Sequence, residues 1–326
     1  MKKLFLSAIA LVLTIVLIGC GELGNSELPR EDVEVTQTVT TGGKKETITT
    51  TVKTNPRVVA TFALEFADIV QELGIEKSGI TLFGLAKGNG LDEALNAFSS
   101  DVYPNVGTLF LPNYDALDLM MPDLIILGGR ASSTYDEIKA KYPNVDILDI
   151  SNANPYSFET QKQVYNNLGK IFTNLTSDLN AQIEKFETAY NTIKSNFPEK
   201  NVLFLLVNGD QISQYGKGSR YGFIFEELGF TPADESGIIL EAHGKTVNAE
   251  YVSAVNPDVI FIFDRTTATE GSAGSIDNVV NNALIKATNA GKTNSIIVLD
   301  SYAWYILPGG IKATETMIKD LNKVFA

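Results

Sequence analysis

The hydrophobic pattern divides the chain into distinct stretches. Residues 5–18 form a continuous apolar run behind Lys2 and Lys3. Residues 33–39 and 46–52 alternate apolar with polar around Gly42 and Gly43, which predicts a β-hairpin. From Pro56 onward, short apolar strands alternate with helical segments. The strands are expected at 58–60, 124–127, 147–150, 202–206, 259–263 and 296–299, and a helix at 64–73 stops at Gly74. Continuously apolar strands set between helices are buried on both faces, as in a mostly parallel sheet.

Between these αβ halves, residues 158–195 carry no proline and a single glycine, Gly169. Leu168, Phe172, Leu175, Leu179, Ile183, Phe186, Tyr190 and Ile193 recur every three or four positions, the period of one helix face. The expected fold class is therefore α/β: two Rossmann-like lobes with mostly parallel central sheets, joined by one long α-helix. The halves repeat each other. Asp115 stands seven residues before Pro122-Asp123, and Arg130 seven after Asp123. Glu250, Pro257-Asp258 and Arg265 keep the same spacing.

Composition narrows the function. Of 326 residues, 44% are hydrophobic and 20% charged, and the net charge is -13. Such an acidic chain is unsuited to nucleic acid, although a few basic residues in one cleft can still hold a small anion. Cys20 is the single cysteine, so disulfides and thiolate metal sites are excluded. His243 is the single histidine, which excludes a multi-histidine zinc or manganese receptor. No G-x-S-x-G elbow is present, and Lys245 and Lys292 in their Gly-Lys-Thr triplets lack the upstream glycine of a phosphate loop. A binding protein is expected, not an enzyme; a cell-surface hydrolase and a purely adhesive protein are the weaker readings.

Open α/β sheets bind ligands beyond the carboxyl ends of their strands. Arg130 and Arg265 follow such ends and are expected to face each other across a cleft. Arg220 lies in Tyr-Gly-Lys-Gly-Ser-Arg-Tyr-Gly (215–222), where the glycines permit a tight loop. Arginine is permanently charged and presents a fork of donors, which suits oxyanions. Trp304 and Tyr305 follow the last strand and are expected beside the same cleft.

Leu17-Ile18-Gly19-Cys20 resembles the bacterial lipobox. That resemblance implies a signal peptide at 1–19, acylation at Cys20 and a lipid-anchored tether, with the start of the hairpin, at 20–44. The lobes are then expected at 45–155 and 198–326, with the linking helix at 156–197. Beyond the anchor, the chain resembles substrate-binding lipoproteins of ABC importers of the ferric-siderophore and cobalamin type, closest to the catecholate branch that binds petrobactin and enterobactin fragments. The segments that carry the resemblance are 106–115, 122–130, 215–222, His243-Gly244, 257–265 and Trp304-Tyr305. It implies that Arg130, Arg220 and Arg265 hold a ferric catecholate between the lobes. It implies that His243 and Tyr305 ligate ferric iron where the siderophore leaves two positions open, with Tyr302 competing for the second role. Asp115 and Glu250 align with acids that dock onto the permease. No intrinsic cofactor is implied, since iron enters only with its siderophore. The implied setting is a monomer at the extracellular face of a Gram-positive cell membrane, partnered by a permease and its ATPase. Haem, cobalamin or another anionic iron chelate is the alternative cargo.

Overall fold

The structure, a computed structural model, describes residues 28–88, 91, 93–151, 156–196, 199–234, 244–271 and 274–325. The signal segment, Cys20, most of the tether and His243 lie outside these residues.

The first lobe opens with the expected hairpin, β1 (Asp32–Thr41) and β2 (Lys44–Lys53), paired antiparallel. Gly42 and Gly43 make its turn with φ of 55° and 74°, as a two-residue hairpin turn requires. Val35, Gln37 and Val39 face inward, while the Thr36–Thr49 and Thr38–Thr47 hydroxyl pairs face out at 3.3 Å. The buried Gln37 amide donates to the Ile147 carbonyl and accepts from the Asp149 amide. The hairpin thus covers the edge of the first sheet, a position that would otherwise expose unpaired backbone. A lobe boundary at 44/45 falls one residue into β2 and would separate the paired strands; the whole hairpin packs with the first lobe.

That sheet contains β3 (Val58–Thr61), β4 (Leu82–Leu85), β5 (Leu124–Leu127) and β6 (Asp146–Asp149), all parallel, in the order β4-β3-β5-β6. Between them run α1 (Leu64–Leu73), α2 (Ile75–Ser78), α3 (Tyr114–Met120) and α4 (Tyr135–Lys141). Alternate residues of β5 feed different cores: Leu124 and Ile126 on one face, Ile125 and Leu127 on the other.

The linking segment is helical but folds back on itself. Helix α5 (Phe158–Ile171) ends at Phe172, and α6 (Thr176–Asn196) begins four residues later. The Phe158–Tyr190 and Tyr165–Phe186 ring contacts and the Lys162–Glu187 ion pair show the two running antiparallel. The long helix entering the second lobe is α6, 21 residues, rather than all of 156–197. The break has local causes. Asn55 holds the turn, accepting from the Thr173 amide and hydroxyl and donating its own amide to the Ile171 carbonyl, and the Thr176 hydroxyl bonds the Gly169 carbonyl. The apolar period survives because both helices press their stripes into one core.

The second lobe has a six-stranded mixed sheet: β7 (Asn201–Asn208), β8 (Gln211–Tyr215), β9 (Thr231–Pro232), β10 (Lys245–Val247), β11 (Val259–Asp264) and β12 (Ile296–Val298). β7, β11 and β12 are parallel, and β8 turns back from β7 as a hairpin across Gly209 and Asp210. Its helices are α7 (Phe223–Glu226), α8 (Ala249–Val255), α9 (Arg265–Glu270), α10 (Ile276–Val280), α11 (Ala283–Lys286), α12 (Asn289–Lys292), α13 (Ser301–Tyr305) and α14 (Ile311–Asn322).

Two features fix the lobes against each other. One core runs through both, from Phe66 and Phe83 through Phe172 and Phe186 to Phe204, Phe261 and Trp304. In addition, Asp68 on α1 accepts the Ala313 amide in the first turn of α14, which leaves no room for a side chain at Gly310. A buried cluster of Tyr156, Gln161, Tyr165 and Thr314, closed on the Gly309 carbonyl, pins α5 to the segment that precedes α14.

Candidate ligand-binding cleft

The repeated motif has a structural explanation. The Asp123 carboxylate accepts the amides of Arg57 and Val58 at the start of β3, and Asp258 accepts the Asn201 amide at the start of β7. Each Pro-Asp thus ties its own strand to the neighbouring parallel one. Upstream, α3 and α8 match closely. Asn113 and Asn248 cap them, Asp115 and Glu250 occupy the second position of each helix, and each helix ends on a left-handed residue, Met121 and Asn256. Both acids are exposed.

At the other end of the strands, Arg130 follows β5 on Gly128 and Gly129. A Cβ at Gly128 would meet the Ala63 Cα at 2.9 Å, so only glycine allows that approach. Arg265 opens α9, whose N-cap Asp264 is buried and accepts the amides of Thr266, Thr267 and Ile276. Arg220 is presented by the glycine loop, where the buried Ser219 hydroxyl bonds the Gly216 carbonyl and Tyr221 stacks on Phe204 at 4.7 Å.

The three guanidinium groups converge on Tyr305. Their central carbons lie 4.9 Å (Arg130), 4.7 Å (Arg220) and 5.6 Å (Arg265) from the ring centroid. Arg130 and Arg220 donate to the Tyr305 carbonyl at 3.2 and 3.1 Å. Arg265 donates to the phenol oxygen at 2.8 Å and to the Asn208 side chain at 3.0 Å. Among the described residues, none of the three forms an ion pair with a carboxylate. Burial pushes the Tyr305 phenol up, but the Arg265 hydrogen bond and the three positive charges outweigh it and hold the phenol below its usual range. Burial also pulls Arg220 down, yet the surrounding Tyr221, Tyr305 and Tyr215 raise it overall, so it stays charged.

Arg130, Arg220 and Tyr305 line a cavity of about 420 Å³ between the lobes, and Arg265 adjoins it through the Tyr305 phenol. The cavity also takes in Thr40 and Lys45 from the hairpin, Glu65 from α1, and Ser132 and Ser151 from the first lobe. The sequence reading missed these five: Thr40, Lys45 and Glu65 reach the cleft because the hairpin lies along β6 and α1 starts beside Gly128, and Ser132 and Ser151 because they follow the carboxyl ends of β5 and β6. Burial pushes the Glu65 carboxyl up to about 7, against its own backbone hydrogen bond and the attraction of Arg130.

The structure separates the aromatic candidates. Tyr305 stands among the arginines. Tyr302 instead lines a different cavity with Asp68, Thr267 and Lys312. Trp304 borders the arginine-lined cavity, as expected, but its side chain is not a ligand contact: it is 0% exposed, packs on Phe204 and Phe223, and donates its indole N–H to Asp320 at 3.0 Å. His243 lies outside the described residues. Among the described residues no group of three or more His, Cys, Asp or Glu is arranged to hold a metal ion.

The chain is similar to the petrobactin-binding protein YclQ of Bacillus subtilis, 33% identical over 99% of this chain and 98% of the relative. The crystal structure of that protein superposes with a TM-score of 0.78 at 31% identity, covering 90% of this chain and 98% of the other. The periplasmic catecholate-siderophore binding protein VctP from Vibrio cholerae superposes with a TM-score of 0.76 at 27% identity, over 88% of this chain and 99% of the other. The ferric-anguibactin-binding protein FatB of Vibrio anguillarum is 26% identical over 84% of each chain. With the periplasmic binding protein model matching residues 59–303, this chain belongs to that family of binding proteins.

Proposed function

We propose that the chain captures a ferric siderophore of the catecholate class in the cleft between its lobes and delivers it to an ABC permease for iron uptake. The observation that carries this reading is the convergence of Arg130, Arg220 and Arg265 on Tyr305 without a carboxylate partner among the described residues. Like charges gathered without a counter-ion are costly. The cost is recovered when an external anion enters. A ferric tris-catecholate is a polyanion because its phenolate charges outnumber that of the iron. Its oxygens accept from the guanidinium forks, and its rings stack on them. Neutral hydroxamate chelates offer the site much less. Tyr305, held toward the phenolate form, is a suitable oxygen ligand for ferric iron when a chelator leaves positions open. His243 is proposed as its partner ligand.

The reading extends to the address. The lipobox at Cys20 supports acylation and tethering of an extracytoplasmic receptor to the membrane. Two acyl chains hold such an anchor stably where one is marginal. The matched, exposed positions of Asp115 and Glu250 support one permease contact per lobe.

The test is a fluorescence titration of the purified chain with a ferric catecholate, a ferric hydroxamate and haem. Trp304 is the single tryptophan and lies just behind the cavity wall, so a coloured ligand in the cleft quenches it. Catecholate is expected to quench at submicromolar concentration and hydroxamate weakly. Quenching by haem with none by catecholate would overturn the reading.

A further inference from the structure

Glu65, the second residue of α1, is an acid inside a cavity built for an anion. It is no solvated bystander. Its carboxyl sits on the first-lobe wall with Ser132 and Ser151, and one of its oxygens would lie 3.2 Å from a Cβ placed at Gly128. The charged groups around it are Arg130 after β5, Arg220 before α7, Asp149 at the end of β6 and Lys45 on β2. The phenols of Tyr156, Tyr221 and Tyr305 complete the surroundings. Despite two nearby guanidinium groups, Glu65 forms an ion pair with neither. An ionised carboxylate here would cancel part of the field of the three arginines and repel the ligand. A neutral carboxylic acid instead adds a donor to the cavity wall.

We propose that Glu65 is a ligand-binding residue that meets the bound anion as the neutral acid and donates a hydrogen bond to one of its oxygens, so that capture takes up one proton from solvent. This rests on the anionic-siderophore reading above. The sign follows from the surroundings. Burial raises the carboxyl to about 7, and an anion beside it raises it further. Below that value the acid is already protonated, and affinity is flat with pH. Above it each binding event must bring a proton in, and affinity falls by up to about tenfold per pH unit.

The probe is a hexadentate ferric tris-catecholate, titrated calorimetrically into the full-length chain at about pH 8 in two buffers of different ionisation heat. The difference between buffers is expected to report uptake of about one proton by the wild type. Glu65→Gln, which keeps the shape and a donor but cannot ionise, is expected to take up none, to bind at least as tightly at that pH and to lose the pH slope. Uptake of no proton by the wild type overturns the proposal. So does equal uptake in Glu65→Gln. Tenfold weaker binding by Glu65→Gln at pH 8 also overturns it, because the charged carboxylate would then be holding a cationic part of the ligand. Failure of the wild type to bind the probe removes the anionic-siderophore reading itself, a result distinct from binding without proton uptake.

Discussion

In the second lobe Arg265 begins a helix whose N-cap, Asp264, is buried and accepts three amides. In the first lobe the aligned position is Gly129, and Arg130 stands on a glycine pair. Arg265 is held within its own lobe by Asn208 and the Tyr305 phenol, whereas Arg130 reaches across the cleft to the Tyr305 carbonyl. The same spacing of acid, Pro-Asp and arginine has therefore produced one wall that is organised in advance and one whose arginine is positioned by its opposite number. Preorganised donors contribute more to affinity because less is spent ordering them when the ligand arrives.

The strongest test of lobe equivalence concerns delivery. Replacing Asp115 and Glu250 together by alanine is expected to abolish uptake in cells while changing ligand affinity by less than about twofold, since both acids are exposed and outside the cleft. Each single replacement should cost similar uptake if the capped helices α3 and α8 dock alike. If affinity falls as far as uptake, they do not serve docking.

In the cleft the lobes should differ. Arg265→Ala is expected to weaken ferric catecholate binding about a hundredfold and Arg130→Ala about tenfold, read by Trp304 quenching. The reverse order would break the comparison. The supporting glycines sharpen it. At Gly274 a Cβ would lie 1.9 Å from the Asp264 carboxylate, whereas at Gly129 the nearest atom is the Ser151 Cβ at 3.9 Å. Gly274→Ala should cost about 2 kcal/mol of stability in denaturant unfolding, and Gly129→Ala should be nearly neutral.

A smaller contrast involves pH. Burial raises Glu65 and Asp68 to about 7 and Asp149 to about 6, all in the first lobe. Folded values above those of the unfolded chain mean that the native state binds protons more tightly. Stability from these groups is present at low pH and lost as pH rises through 6 to 7. The melting temperature is expected to be several degrees higher at about pH 5 than at about pH 8, and Asp68→Asn should reduce the difference.

The repeat made the architecture legible. Pro-Asp before an apolar run, with arginine beyond it, placed β5, β11 and both cleft arginines. Several features escaped. The break between α5 and α6 was masked because both helices bury stripes with one period, although the polar run Thr173, Asn174, Thr176 and Ser177 carried the signal of a new helix start. Strand β8 was missed although Gly209-Asp210 is a two-residue hairpin turn signal. Trp304 adjoins Tyr305 and borders the cleft, but adjacent residues on a helix diverge by about 100°, so only Tyr305 presents its side chain to the arginines while the indole packs into the core. Glu65 and Lys45 belong to the site through tertiary packing alone, which no local pattern records.

The core that runs unbroken from one lobe to the other has a thermodynamic consequence. Chains built as two bodies on a flexible hinge can lose one body while keeping the other. Here Phe172 and Phe186 of the linking helices pack into the same core as Phe66 and Phe261, and Asp68 caps a helix across the divide. Neither half can melt without stripping apolar surface from its neighbour. The molecule is two-lobed in shape yet is expected to unfold as a single cooperative unit, giving one heat-absorption peak in calorimetry whose midpoint moves as a whole when a ligand bridges the cleft.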